Sequence, residues 1–184
     1  SCTILLPDSL YYLSLQATHS LDKVQAHRYA VELADNFVLQ HGKDVTQLDL
    51  CDFSIMRSST VEQTDRYCSV LDEIRNYSEN DIDFSAAIDQ FVCDFISRAG
   101  CKDISSQGFN LSRNFILREL SVAACLAEDG ARVSIYPGSI DIFHQISSGC
   151  FPGLPKTLQN LIHTGINFKK RKGDIGQSSQ AKSK

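Results

Sequence analysis

Thr3-Ile4-Leu5-Leu6-Pro7-Asp8-Ser9 is the stretch from which the architecture is read. Thr3 to Leu6 form an apolar run too short for a helix, and Pro7-Asp8 closes it, which fits a central strand followed by a turn. A turn region follows. Residues 20 to 41 then carry Leu21, Val24, Ala30, Val31, Ala34, Phe37 and Val38 at helical spacing, one buried stripe that Gly42 is placed to end. Val45, Leu48, Leu50 and Phe53 make a second strand. Strand, helix, strand is how a parallel sheet with a crossover begins, so an α/β domain with a central, mainly parallel sheet is predicted.

Residues 60 to 77 and 83 to 98 read as two further amphipathic helices, the second more apolar than the first. Gly100 through Gly108 is a loop, after which Asn110 or Ser112 caps a long helix through Ala127 that Gly130 terminates. Val133 to Tyr136 is a third strand stopped by Pro137-Gly138. A short helix over 140 to 146, a turn over 149 to 155, a last helix around Leu158 and a strand-like Ile166 to Phe168 complete one domain spanning 1 to 172. Residues 173 to 184, rich in Ser, Gln, Lys and Gly, are expected to be a disordered tail.

The 184 residues, 42% apolar and 22% charged, have the composition of one soluble globular domain. No apolar run approaches the ~20 residues needed to span a bilayer. The first residues lack a basic leader, and Pro7-Asp8 interrupts the apolar run before it could act as a signal-peptide core. The chain starts at Ser1 rather than Met, as expected of a piece of a longer protein. Seven scattered cysteines without a Cys-x-x-Cys pair argue for reduced thiols and a cytoplasmic location. Cys93 with Cys101 is the one pairing a zinc reading would use, but zinc ligands come in closer pairs, so packing cysteines and no metal are expected. A net charge of −4 speaks against a general nucleic-acid binder. The average conceals a basic run at Lys169, Lys170, Arg171 and Lys172, which leaves room for a local anion contact.

Sharper motifs lie in the last third. Asn-Phe-Ile-Leu-Arg-Glu-Leu (114 to 120), Leu-Ala-Glu-Asp-Gly (126 to 130), Val-Ser-Ile-Tyr-Pro-Gly (133 to 138), the Gly-Leu-Pro-Lys-Thr-Leu turn and the closing Lys-Lys-Arg-Lys follow one another in a fixed order. This order resembles the C-terminal half of the tRNA-dependent cyclodipeptide synthases. Tyr136-Pro137 is similar to the pair that marks one branch of that family, and Leu-Cys-Asp-Phe-Ser-Ile-Met-Arg (50 to 57) is similar to its second-strand segment. The resemblance implies a Rossmann-like, three-layer fold like the catalytic domain of class I aminoacyl-tRNA synthetases of the tyrosine and tryptophan kind, without the nucleotide site. The residues agree on the last point: no glycine-rich phosphate loop is present. It further implies an aminoacyltransferase that takes two aminoacyl-tRNAs, forms a cyclic dipeptide and needs no cofactor because the ester is already activated. A monomer is expected, although the sequence does not fix the oligomeric state.

The roles follow residue by residue from the resemblance. Ser9 is the implied nucleophile, at the C-terminal edge of the first strand where α/β sheets open a ligand crevice, with Ser14 as second choice. Read on its own, Ser9 caps a turn with Asp8. Pro7 stands where the family carries glycine. Glu119 sits among Leu117, Leu120 and Val122, where a carboxylate is costly unless it meets a cation, and the implied cation is the substrate's α-ammonium. Its plainer reading is a surface glutamate beside Arg113 or Arg118. Tyr136 is the implied positioning hydroxyl, next to Pro137, or else a packing aromatic. Phe115 replaces the family's other tyrosine one turn before the glutamate. Leu5, Pro7, Leu50, Val122 and Ser134 are candidates for the side-chain pocket, and nearby acids (Asp49, Asp52, Asp94) would suit a cationic substrate. The helix that family members use for tRNA is nearly neutral here, so Lys169 to Lys172 with Arg113 and Lys156 are assigned to that contact, against the plain reading of a solvated tail. Two other functional classes stay open: a non-catalytic aminoacyl-tRNA-binding homologue, and a Rossmann-like serine hydrolase.

Overall fold

The structure, a computed structural model, describes residues 2–19, 21–46, 52–98, 105–137 and 141–166. In chain order the elements are β1 (Cys2–Leu6), α1 (Tyr11–His19), α2 (Lys23–Thr46), β2 (Phe53–Arg57), α3 (Ser58–Glu62), α4 (Asp65–Asn80), α5 (Ile82–Arg98), α6 (Ser106–Glu128), β3 (Val133–Pro137), α7 (Asp141–Ser147), α8 (Lys156–Gln159) and β4 (Ile162–Ile166). β1 lies parallel to β2, with Cys2 opposite Phe53 and Leu6 opposite Arg57. β3 lies parallel to β4, with Val133 opposite Ile162 and Pro137 opposite Ile166.

The expected three-layer domain with one central sheet is corrected here. Among the described residues the strands form two separate parallel pairs, and the centre is a helix. α6 buries Phe115, Ile116, Leu117, Leu120, Val122, Ala124 and Cys125, side chains that point around most of its circumference, and it packs against α1, α3, α4, α5 and α8. A helix buried on nearly all its faces is a core element rather than a surface one. It supplies the apolar surface that a central sheet would otherwise offer.

Local chemistry sets the helix ends. Ser105 caps α6, its hydroxyl accepting from the Gly108 amide at 3.1 Å, so the helix starts earlier than Asn110 or Ser112. Gly130, at φ 105°, ends it as expected, since only glycine takes that conformation without strain. Gly42 does not end α2, which runs on to Thr46. α2 buries a narrow stripe of Ala26, Ala30 and Ala34, one residue per turn, of which Ala26 and Ala30 pack with Leu15 of α1. The second strand is displaced accordingly: Val45 belongs to α2, while Leu48 and Leu50 lie outside the described residues. The segment after Ser9, expected to be a turn, is helix α1. The Pro7 carbonyl accepts from the amides of Leu10 (3.1 Å) and Tyr11 (2.7 Å) to begin it. The last strand begins at Ile162 rather than Ile166, directly after the short α8.

Candidate active site

Because β1 and β2 are parallel and in register, Pro7-Asp8-Ser9 and Ser58-Ser59 leave the same edge side by side. There they form a buried polar network. Asp8 is 4% exposed, and its Oδ1 accepts from the Ser9 amide (2.9 Å), the Ser58 hydroxyl (3.0 Å) and the Ser59 amide (3.0 Å). Its Oδ2 accepts from the Ser59 hydroxyl at 2.8 Å and faces Arg57 Nη1 at 3.5 Å. Arg57 in turn pairs with Asp35 of α2. Burial alone pushes the Asp8 carboxyl up, but the hydrogen bonds from Ser59, Ser58 and Ser9 outweigh it and hold the group below its ordinary value. Ser9 itself is buried, with Oγ 2.8 Å from Ser58 Oγ. The hydroxyl partner of Ser9 is therefore a serine on the neighbouring strand edge.

A second polar cluster lies where α1, α3 and α4 meet α6. Arg118 donates to Glu62 Oε1 through Nε (3.1 Å) and Nη2 (2.6 Å), to the Tyr67 hydroxyl (3.2 Å) and to the Tyr12 hydroxyl (3.1 Å). The Tyr67 hydroxyl also donates to Glu62 Oε1 at 3.0 Å. Burial, with the Glu62 charge acting in the same direction and the Arg118 bond against it, leaves the Tyr67 phenol pushed up to about 12. The guanidinium thus ties α6 to the segment that begins with Ser9. Glu119, the next residue, is half-buried on the same helix, and Phe115 one turn earlier is in the core with Leu10 and Leu13.

No family model and no curated protein matches the sequence. Among solved structures, that of a CDPS (cyclodipeptide synthase) from Fluoribacter dumoffii is similar with a TM-score of 0.75, over 88% of this chain and 73% of that chain, at 20% sequence identity. The two chains share their fold.

Within this shared fold the remaining predicted residues fall as follows. Leu5 is half-buried opposite Met56, and Val122 is fully buried in α6; both contribute to the main core. Pro7 is exposed at the strand edge. Ser134 is half-buried in β3 opposite His163, and Tyr136 and Pro137 end that strand opposite Gly165 and Ile166. Ser14 is buried inside α1. Arg113 spans three helices: from α6 it pairs with Asp89 and donates to the hydroxyls of Ser85 on α5 (3.0 Å) and Ser78 on α4 (3.3 Å). Leu50, Cys101 and Lys169 to Lys172 lie outside the described residues. A cavity of about 350 Å3 between α5 and α7, lined by Phe91, Asp94, Arg98, Asp141 and Ile142 among others, includes none of the predicted pocket residues. Among the described residues no cluster of His, Cys, Asp and Glu suited to a metal ion occurs, and no helix is long and apolar enough to cross a membrane.

Ser58, Ser59 and Arg57 are absent from the sequence-based assignment. The available signal was positional: Arg57-Ser58-Ser59 follows the strand that pairs with β1, and residues at the C-terminal edges of neighbouring parallel strands share a crevice.

Proposed function

We propose that this chain is a tRNA-dependent cyclodipeptide synthase of the Tyr-Pro branch, using Ser9 as the acyl acceptor. The observation that carries the reading is the place of Ser9: a buried hydroxyl held at the C-terminal edge of a parallel strand pair, in a fold shared with a CDPS. In the first step Ser9 Oγ attacks the ester carbonyl of one aminoacyl-tRNA. The Oγ–acyl bond forms, the acyl–oxygen bond to the tRNA breaks, and the serine proton ends on the released tRNA hydroxyl. The amine of a second aminoacyl-tRNA then attacks the acyl-serine carbonyl, which forms the first amide and frees the Ser9 hydroxyl, and the amine of the first residue attacks the remaining tRNA ester, which closes the ring and releases the second tRNA. Overall two esters are consumed and two amide bonds made, so no ATP or other cofactor is required. Glu119 receives the α-ammonium and takes its proton, and Tyr136 supplies a positioning hydroxyl. Lys169 to Lys172 contact tRNA phosphates, while Arg113 serves the helix bridge described above. The reading places the protein in the cytoplasm as a monomer.

A non-catalytic aminoacyl-tRNA-binding homologue is the second reading. Phe115 favours it, because a buried phenylalanine stands where the resembling enzymes carry a hydroxyl. Incubation with a pool of charged tRNAs and mass analysis of small products separates the two. Cyclic dipeptides dependent on the protein are expected; bound but unconsumed aminoacyl-tRNA would favour the second reading.

A further inference from the structure

Ser58 Oγ carries one proton, and a carboxylate is an acceptor only. The 3.0 Å bond to Asp8 Oδ1 uses that proton. The 2.8 Å contact between Ser58 Oγ and Ser9 Oγ must then run the other way, with Ser9 donating and Ser58 accepting. The Ser9 amide also points at Ser58 Oγ, at 3.3 Å. The rotor of the Ser9 hydroxyl is thereby fixed on the protein side, which leaves its lone pairs directed away from Ser58. Ser58 is fully buried, so no water competes for the contact.

We infer that Ser58, oriented by the Asp8 carboxylate, is a positioning residue that fixes the Ser9 hydroxyl for acyl transfer. This rests on Ser9 being the acyl acceptor proposed above. Asp8 acts as an anchor: it already accepts four hydrogen bonds, and its place in the chain is one step behind the hydroxyl that reacts. Orientation of one hydroxyl is an effect on the reacting geometry and not on how tightly the aminoacyl-tRNA binds.

The test uses the whole chain with charged tRNA and follows the rate at which the acyl adduct forms in a single turnover, alongside the concentration of tRNA that half-saturates it and the melting temperature. Ser58→Ala removes the acceptor, and Ser58→Cys keeps the size with a weaker one. The adduct is expected to form about tenfold more slowly in Ser58→Ala, with Ser58→Cys in between and half-saturation unchanged. A wild-type adduct with equal rates in both variants overturns the inference and spares the Ser9 reading. Rates that follow melting temperature, or a loss shared equally with tRNA binding, reduce Ser58 to a structural role and also overturn it. No adduct on the wild type sinks the Ser9 reading and this inference together. If Ser58→Ala fails to fold, Ser58→Cys alone decides.

Discussion

The two strand pairs are built alike and differ in their polar surroundings. Each is parallel, five residues long and in register. β1–β2 runs out into a buried carboxylate whose oxygens are met by two hydroxyls, two amides and an arginine. β3–β4 carries His163, whose ring stacks on Phe143 at a 4.3 Å centroid separation and whose buried Nε2 has no hydrogen-bond partner among the described residues. Buried polar atoms are nearly always paired, so the first pair spends its polar groups on fixed geometry while the second tolerates one unsatisfied atom against an apolar wall. Burial first, and then the nearby His144 charge, hold the His163 imidazole down at about 4. The difference teaches how far a parallel pair can fix its polar groups: around Asp8 each of these buried donors has an acceptor, which is the setting the Ser9 proposal requires.

The largest test of that contrast is Asp8→Ala, which leaves the donors of Ser9, Ser58 and Ser59 without their acceptor. Chemical denaturation should show a loss of about 3–5 kcal/mol. A loss below ~1 kcal/mol would mean the network is not a fixed unit. The pairs should also separate along the pH axis. For His163 the folded value lies below the unfolded 6.5, so the unfolded chain binds the extra proton and stability falls as pH drops from 6.5 to about 4. That fall is worth about 3 kcal/mol and should vanish in His163→Leu. For Asp8 the folded value lies below 3.8, so its contribution is complete above 3.8 and is lost only as pH falls through that lower value. Melting curves of His163→Leu should therefore keep the lower transition while losing the upper one. A single shared transition would erase the contrast. The smallest effect belongs to Ser9→Ala, which removes one donor to a hydroxyl that retains Asp8. A stability change within about 1 kcal/mol is expected.

Much of this was legible from residues alone, and the misses have physical causes. β1, α5, the C-terminal part of α6 and the glycine that ends it were readable because apolar spacing leaves a plain mark and glycine is the residue that takes φ > 0 without strain. α1 was not: Tyr11, Tyr12, Leu13 and Leu15 crowd apolar groups onto most of its faces, and a helix without a polar side shows no period. Gly42 misled because its cost inside a helix, about 1 kcal/mol, is small enough for the context of α2 to outweigh. The second strand was drawn too early by the apolar Val45 and Leu48, although the resemblance over residues 50 to 57 covered the true one. Two parallel pairs were expected to merge into one sheet because no local pattern reports how strands meet across a domain. Ser9 was singled out, but its partner Ser58 was hidden, since pairing depends on a register that joins residues 49 positions apart.

The central claim is that Ser9 becomes acylated, and the intact mass of the protein after brief incubation with a pool of charged tRNAs tests it most directly. One added aminoacyl mass is predicted on the wild type, mapped by peptide fragmentation to Ser9 and missing from Ser9→Ala. An adduct of equal yield on Ser9→Ala, or one mapped to another residue such as Ser14, would contradict the account.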